Sequence, residues 1–282
     1  MTMPQLLTPK ATQRVATVLM WAATAVTVGM LLFIVGFVLK RGASTLSWEF
    51  LFSSPRHSGA LGGILPTVVS TFYVSAAAVI VAAPLGVAAA VYLAEYTTDS
   101  RLTRFIRSGT EALAGIPSII FGLFGFAFFV TTLGMGWSIM SGGLTLGLMI
   151  LPTVIRTSEE AMRAVPRYYR DVAQSLGASK WQSIRTVVLP AAAPGVMTGV
   201  VLGIGRAVSE TAAVIFTAGV ALKMPWSPFD SARTMSVHFY TLTMEGISDE
   251  MAYGTASVLV MTILLINITA YGIMNRLTRR YR

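Results

Sequence analysis

The chain has no cysteine and only two histidines in 282 residues. The first absence excludes disulfides, thiolate metal sites and iron–sulfur clusters. The second leaves metal binding to His57 and His238, which lie far apart in sequence without clustered carboxylates, so a metal site is not expected. Charge is scarce too. Charged residues make up 12% of the chain, against about a quarter in a typical soluble domain. That is too few to solvate a globule, and 54% hydrophobic residues with a mean hydropathy of +0.69 place the chain in a membrane. A phosphate-cradling loop is also missing, because Gly177-Ala178-Ser179-Lys180 lacks the upstream glycine such a loop needs. Any ATP hydrolysis must therefore occur on another chain, and neither enzymatic activity nor a cofactor is expected here. The formal net charge of +9 collects in particular loops and makes no aromatic-basic face, which argues against nucleic acid.

What the chain does have is long stretches without charge. Val15 to Leu39 would span roughly 37 Å as a helix, enough to cross a hydrocarbon core of about 30 Å. A signal peptide would have an apolar core of only about 7 to 15 residues, so this run reads as a retained first span. Gly42 to Ser58, with Trp48, Phe50, Phe52 and Pro55, has an interfacial composition. Gly59 to Ala94 is the second span, with Pro66 suited to its first turn and Pro84 expected to kink it. Glu95, Asp99, Arg101, Arg104 and Arg107 read as a short polar loop. Ala112 to Ile155 is too long for one helix and divides into two spans at a turn marked by Gly134-Met135-Gly136 and Ser141-Gly142-Gly143. The fourth span is expected to continue as helix past Ile155. Ala191 to Leu222 and Met251 to Ile273 are spans five and six, and Lys223 to Glu250 between them is a short folded excursion.

Six spans put both termini on one side. That side carries fifteen Lys and Arg residues (Lys10, Arg14, Arg101, Arg104, Arg107, Arg156, Arg163, Arg167, Arg170, Lys180, Arg185, Arg276, Arg279, Arg280, Arg282); the other has five (Lys40, Arg41, Arg56, Lys223, Arg233). The excess predicts that the termini are cytoplasmic. We expect a cytoplasmic N-terminus over 1–14 and one transmembrane domain over 15–282, with a core of about 60–275 and a cytoplasmic loop over 156–190.

That loop is the longest polar break in the chain. Pro166 suits a first helical turn and Gly177 the left-handed position past a helix end, which predicts a helix of about Arg167 to Leu176. Tyr168, Val172 and Leu176, with Tyr169 and Ala173 beside them, give it one apolar face that needs something to sit against. Ser179 and Gln182 make a capping box for a second helix carrying Trp181, Ile184 and Val188 on one side until Pro190 ends it. The result is a helix-turn-helix elbow.

Arg206 and Glu210 are the other polar feature. An ionised side chain at mid-membrane costs roughly 2.5–3.5 kcal/mol even on the mildest scale, so two in one span need a reason. Spacing of four places them on one helix face. They are either a self-contained ion pair or an anion-binding arginine on an aqueous pathway with Glu210 orienting it. Gly203 and Gly205 read as close-packing positions.

The run Asp171-Val172-Ala173, then Gly177, then after nine residues Val187-x-Leu189-Pro190, resembles the loop shared by permease subunits of ABC importers. The family pattern is Glu-Ala-Ala, three residues, Gly, nine residues, Ile-x-Leu-Pro; Asp171, Val172 and Val187 are departures from it. Leu93-Ala94-Glu95-Tyr96, the block Ala114 to Phe124, and Arg206 with Glu210-Thr211-Ala212 resemble PstA-type phosphate permeases, with Ser209 where Gly is common. The resemblance implies an all-α fold of six transmembrane helices with a cytoplasmic coupling elbow, as in type I ABC importers. It implies a multi-pass protein of the bacterial inner membrane that forms half of a phosphate pathway. Arg206 and Glu210 would lie on that pathway. Asp171, Val172, Ala173, Leu176, Gly177, Ala178, Leu189 and Pro190 would couple to the ATPase. The implied partners are a homologous permease in a heterodimer, two ATP-binding subunits and a phosphate-binding protein on the outer face. A permease for another oxyanion, or the companion phosphate permease, is the nearest alternative. A proton-coupled secondary transporter using Glu210 is the alternative of a different class, and it leaves the elbow unexplained.

Overall fold

The computed structural model describes residues 9–98 and 100–278. Asp99, Arg279, Arg280, Arg282 and most of the expected N-terminal segment therefore lie outside the described residues. The described residues form a bundle of helices with one small hairpin of two-residue strands.

Helix α1, Pro9–Gly42, covers the first expected span, and its apolar side chains stay exposed over its central window, as a lipid-facing helix requires. It packs towards its C-terminal end, where Phe37 meets Tyr253 edge-on and Ser257 Oγ donates to the carbonyl of Val38 at 3.1 Å. A short α2, Trp48–Phe52, presents Trp48 and Phe52 outward in the expected interfacial segment. The hairpin of β1, Pro55–Arg56, and β2, Leu61–Gly62, follows. Helix α3, Leu65–Val91, starts with Pro66 in its first turn, runs through Pro84 and ends in a π-helical turn, Tyr92–Tyr96.

The expected polar loop after it is a helix. Helix α4, Arg101–Ala114, is capped by Ser100, whose hydroxyl accepts from the Thr103 amide at 3.2 Å. Leu102, Phe105, Ile106 and Leu113 recur along one face of it and stay exposed, a helical period that the charges around them obscure in the sequence. Gly115-Ile116-Pro117 then bends the chain by 97° into α5, Ser118–Gly125, which continues as π-helix to Thr132.

The turn at Gly134 and Gly136 is present, both glycines having φ of +65°. Ser141-Gly142-Gly143 is not a turn. It lies inside α6, Ile139–Ala164, capped by Ser138, where the missing side chains let α6 approach Ala218 and Ala77 closely. As expected, α6 continues well past Ile155. Helix α7, Arg167–Ser175, leads to α8, Lys180–Ser183, which passes through a π-helical turn, Ile184–Val188, into α9, Leu189–Ser209. Pro190 therefore does not end the second elbow helix: the π-helical turn absorbs its missing N–H, with the Leu189 amide bonded back to the carbonyl of Ile184. After a break at Glu210 and Thr211 come α10, Ala212–Thr217, α11, Met235–Met244, in the excursion, and α12, Asp249–Thr278.

Among the described residues five helices are long and apolar enough to cross a membrane, or six if the bent pair α4 and α5 forms one span. The core lies where α3, α6 and α9 pack together. One cluster holds Val74, Ala78, Leu146, Ile150, Ala207 and Val214. A second, nearer the elbow, holds Ala90, Met162, Val165, Val188 and Ala192.

Candidate functional site

The elbow is built from local rules. Gly177 has φ +85°, and two hydrogen bonds close the end of α7 around it: Gly177 N to Gln174 O at 2.9 Å and Ala178 N to Ala173 O at 3.0 Å. Ser179 then accepts from the Gln182 amide at 3.3 Å while the Gln182 side chain accepts from the Ser179 amide at 2.7 Å. Such a cap is worth about 1 kcal/mol and fixes the angle between the two arms. Both predicted features are in place.

Burial divides the elbow residues into two groups. Ala173 is 9% exposed, and Ile184 and Val188 are buried, so this side of the elbow is packed against the bundle. Tyr168, Val172, Trp181 and above all Leu176, 84% exposed, stay open to the surface of the described chain. Asp171 and Gly177 lie on that open side, while Ala178, Leu189 and Pro190 are half-buried. Trp181 thus departs from the face predicted for it, standing outside while Ile184 and Val188 turn inward.

Three ion-pair groups hold this end. Glu159 accepts from Arg107 Nε and from Arg163 Nε, each at 2.9 Å, tying α4 to α6. Arg156 pairs with Glu160 at 3.0 Å on the exposed face of α6. The third pair, Glu95 with Arg170, joins the end of α3 to α7 at 2.6 Å. No spacing rule in the sequence pairs those two residues.

The other site residues are arranged differently from expectation. Helix α9 ends at Ser209, so Glu210 takes extended backbone (φ −73°, ψ 132°) and does not continue the helix face that carries Arg206. Glu210 Oε1 accepts from the Ala213 amide at 3.2 Å, and its carbonyl accepts from Ser236 Oγ at 2.6 Å. Among the described residues no ion pair joins Glu210 to Arg206. Arg206 is half-buried, flanked on α9 by exposed Leu202 and Ser209. Gly205 has nothing within 4 Å of the position a Cβ would take, and Gly203 has only ordinary contacts. Close packing of α9 on α6 occurs instead at Gly195 and Gly199, against Ala161 and Thr157. The side of α9 around Arg206 is therefore open.

Comparison with known proteins matches this geometry to a family. Residues 82–282 match the model for the binding-protein-dependent transport system inner membrane component. The chain is 32% identical to the probable ABC transporter permease protein YqgI of Bacillus subtilis, over 93% of this chain and 94% of the relative. It is 35% identical to the phosphate transport system permease protein PstA 1 of Mycobacterium tuberculosis, over 78% and 72%, and 31% identical to PstA of Haemophilus influenzae, over 82% of each. Its fold is similar to a chain of the MetNI methionine ABC transporter, with TM-score 0.65 and 17% identity over 76% of this chain and 95% of that one. A chain of a bacterial alginate ABC transporter is equally similar, with TM-score 0.65 and 14% identity over 94% of each. An all-helical membrane bundle with a capped elbow, matched by this family over most of its length, belongs to the binding-protein-dependent inner membrane components, the permease subunits of ABC importers.

Proposed function

We propose that this permease subunit forms half of the pathway of an ATP-driven phosphate importer, with the elbow on the cytoplasmic side seated in a separate ATP-hydrolysing subunit. The observation that carries the coupling is the bare apolar face of α7, Tyr168, Val172 and Leu176, on a segment whose opposite side is packed. A helix that exposes such a face beside charged residues is built to lie in a groove of another protein. Two such ATPase subunits, a second permease resembling this chain and a phosphate-binding protein on the outer face complete the assembly. Both termini are assigned to the cytoplasm by the basic-residue excess on the elbow side.

Phosphate is favoured by the relatives named as phosphate permeases and by Arg206, a fixed cation on an open helix face with paired donors suited to an oxyanion. Glu210, committed to the Ala213 amide, sets the break in the span next to it. In the assembled complex, Arg206→Gln is expected to abolish uptake of inorganic phosphate while the ATPase subunit still co-purifies. Unchanged uptake would remove Arg206 from the pathway. Uptake in membranes lacking any ATPase subunit would instead make the chain a secondary transporter.

A further inference from the structure

Leu93-Ala94-Glu95-Tyr96 ends the second span, and neither the pathway nor the coupling face uses it. It lies in the π-helical turn Tyr92–Tyr96 that follows α3, and extra-residue turns of this kind concentrate at functional positions. Each of its last two side chains holds a different arm of the elbow. The Glu95 carboxylate accepts from Arg170 of α7 three times: from Nη2 at 2.6 Å and from Nε at 3.1 Å to each oxygen. Arg170 spends its remaining donors on the last carbonyls around α6, Met162 at 2.8 Å and Val165 at 2.7 Å. Tyr96 receives Lys180, the first residue of α8, with Nζ 5.0 Å from the ring centroid.

The covalent chain joins the elbow to α6 and α9 only. Helix α3, whose end carries Glu95 75 residues before Arg170, has no such link, yet it packs along α6 in the centre of the bundle. The Glu95 and Arg170 side chains are 7% and 17% exposed, so their pairing is shielded from solvent and salt far better than a surface ion pair. A forked guanidinium bound to a carboxylate and two carbonyls also fixes direction, because its donors lie in one plane.

We propose that Glu95 and Tyr96 form a transmission clamp that passes displacement of the elbow to the second span. Helix α3 then moves as one body with α6 and α9 when the elbow is pushed. Arg170 and Lys180 are positioning residues in this device. The proposal rests on the coupling role assigned to the elbow, and it names the third helix through which that role acts.

The test uses the full complex in proteoliposomes, with inorganic phosphate as the transported probe, and reads phosphate moved per ATP hydrolysed. That ratio is insensitive to how much protein folds, since loss of folded complex lowers both quantities together. Glu95→Ala and Glu95→Gln are expected to retain the ATPase subunit and its hydrolysis while the ratio falls at least tenfold. The exchange Glu95→Arg with Arg170→Glu should recover a large part of it, and Tyr96→Leu should lower it two- to threefold. If Glu95→Gln lowers only the yield, or leaves the ratio at the wild-type value, the clamp is refuted and the pair is purely structural. If the wild-type chain itself recruits no ATPase subunit, the coupling role falls and the clamp falls with it.

Discussion

The elbow end and the opposite end of the bundle are closed by different chemistry. At the elbow end, helices distant in sequence are joined by side-chain charges: Glu95 to Arg170, and Glu159 to Arg107 and Arg163. At the opposite end the chain is sewn together through its backbone. Ser138 N donates to Thr217 O at 3.1 Å, Ile139 N to Asp230 O at 3.1 Å and Ala232 N to Ala218 O at 3.0 Å, while Met235 N donates to Thr71 Oγ1 at 2.9 Å. The elbow leaves Tyr168 and Leu176 exposed, and both ends bury charged or polar side chains: Glu159 at the elbow end, His238 at 1% exposure and Arg233 at 8% at the other. Backbone sewing resists local opening, and a few directional side-chain links permit a rigid piece to shift with whatever holds its outer face. Under the coupling role proposed for the elbow, movement belongs to that end and the opposite end is the fixed reference.

The largest expected effect comes from deforming the movable end. Gly177→Val forces a β-branched residue to φ +85°, a cost of at least about 1–2 kcal/mol, and it displaces the two hydrogen bonds that set the elbow angle. The variant should insert into membranes normally but lose the ATPase subunit on co-purification and lose transport. Wild-type recruitment would mean that the elbow angle does not matter.

A smaller effect tests the sewn end. Burial lowers the His238 pKa to about 4, with the charge of Arg233 adding to the effect. Burial likewise holds the Arg233 guanidinium below its ordinary pKa, partly offset by Glu245. Since the folded pKa of His238 lies below the unfolded value of about 6.5, the unfolded chain takes up the proton first on acidification. Stability is complete above pH 6.5 and is lost as pH falls towards 4, by about 3 kcal/mol at most. Thermal unfolding between pH 7.5 and 5 should show this loss, and His238→Gln should flatten it. An equal pH slope in the variant would locate the acid sensitivity elsewhere.

Much of the elbow was legible because its determinants are local: a proline before α7, a glycine in the left-handed region after it and a reciprocal cap on α8 each act within four residues. The spans were legible from charge-free runs. Other features depend on distant partners. Gly142 and Gly143 look like turn residues, but in a membrane helix they mark close approach to Ala218 and Ala77. Helix α4 is hidden in the sequence because Arg101, Arg104, Arg107 and Glu111 interrupt the helical period of its exposed apolar residues. The break at Glu210 follows from hydrogen bonds to Ala213 and Ser236, and the Glu95–Arg170 pair from a fold that brings together residues 75 apart.

The most direct measurement places a photo-crosslinking residue at Leu176, the most exposed of the elbow's large apolar residues, in the native membrane. The account predicts a crosslink to an ATP-hydrolysing protein that forms only from the cytoplasmic side and is lost in Gly177→Val. Crosslinks to lipid alone, or reaction with reagents confined to the exterior, would contradict it.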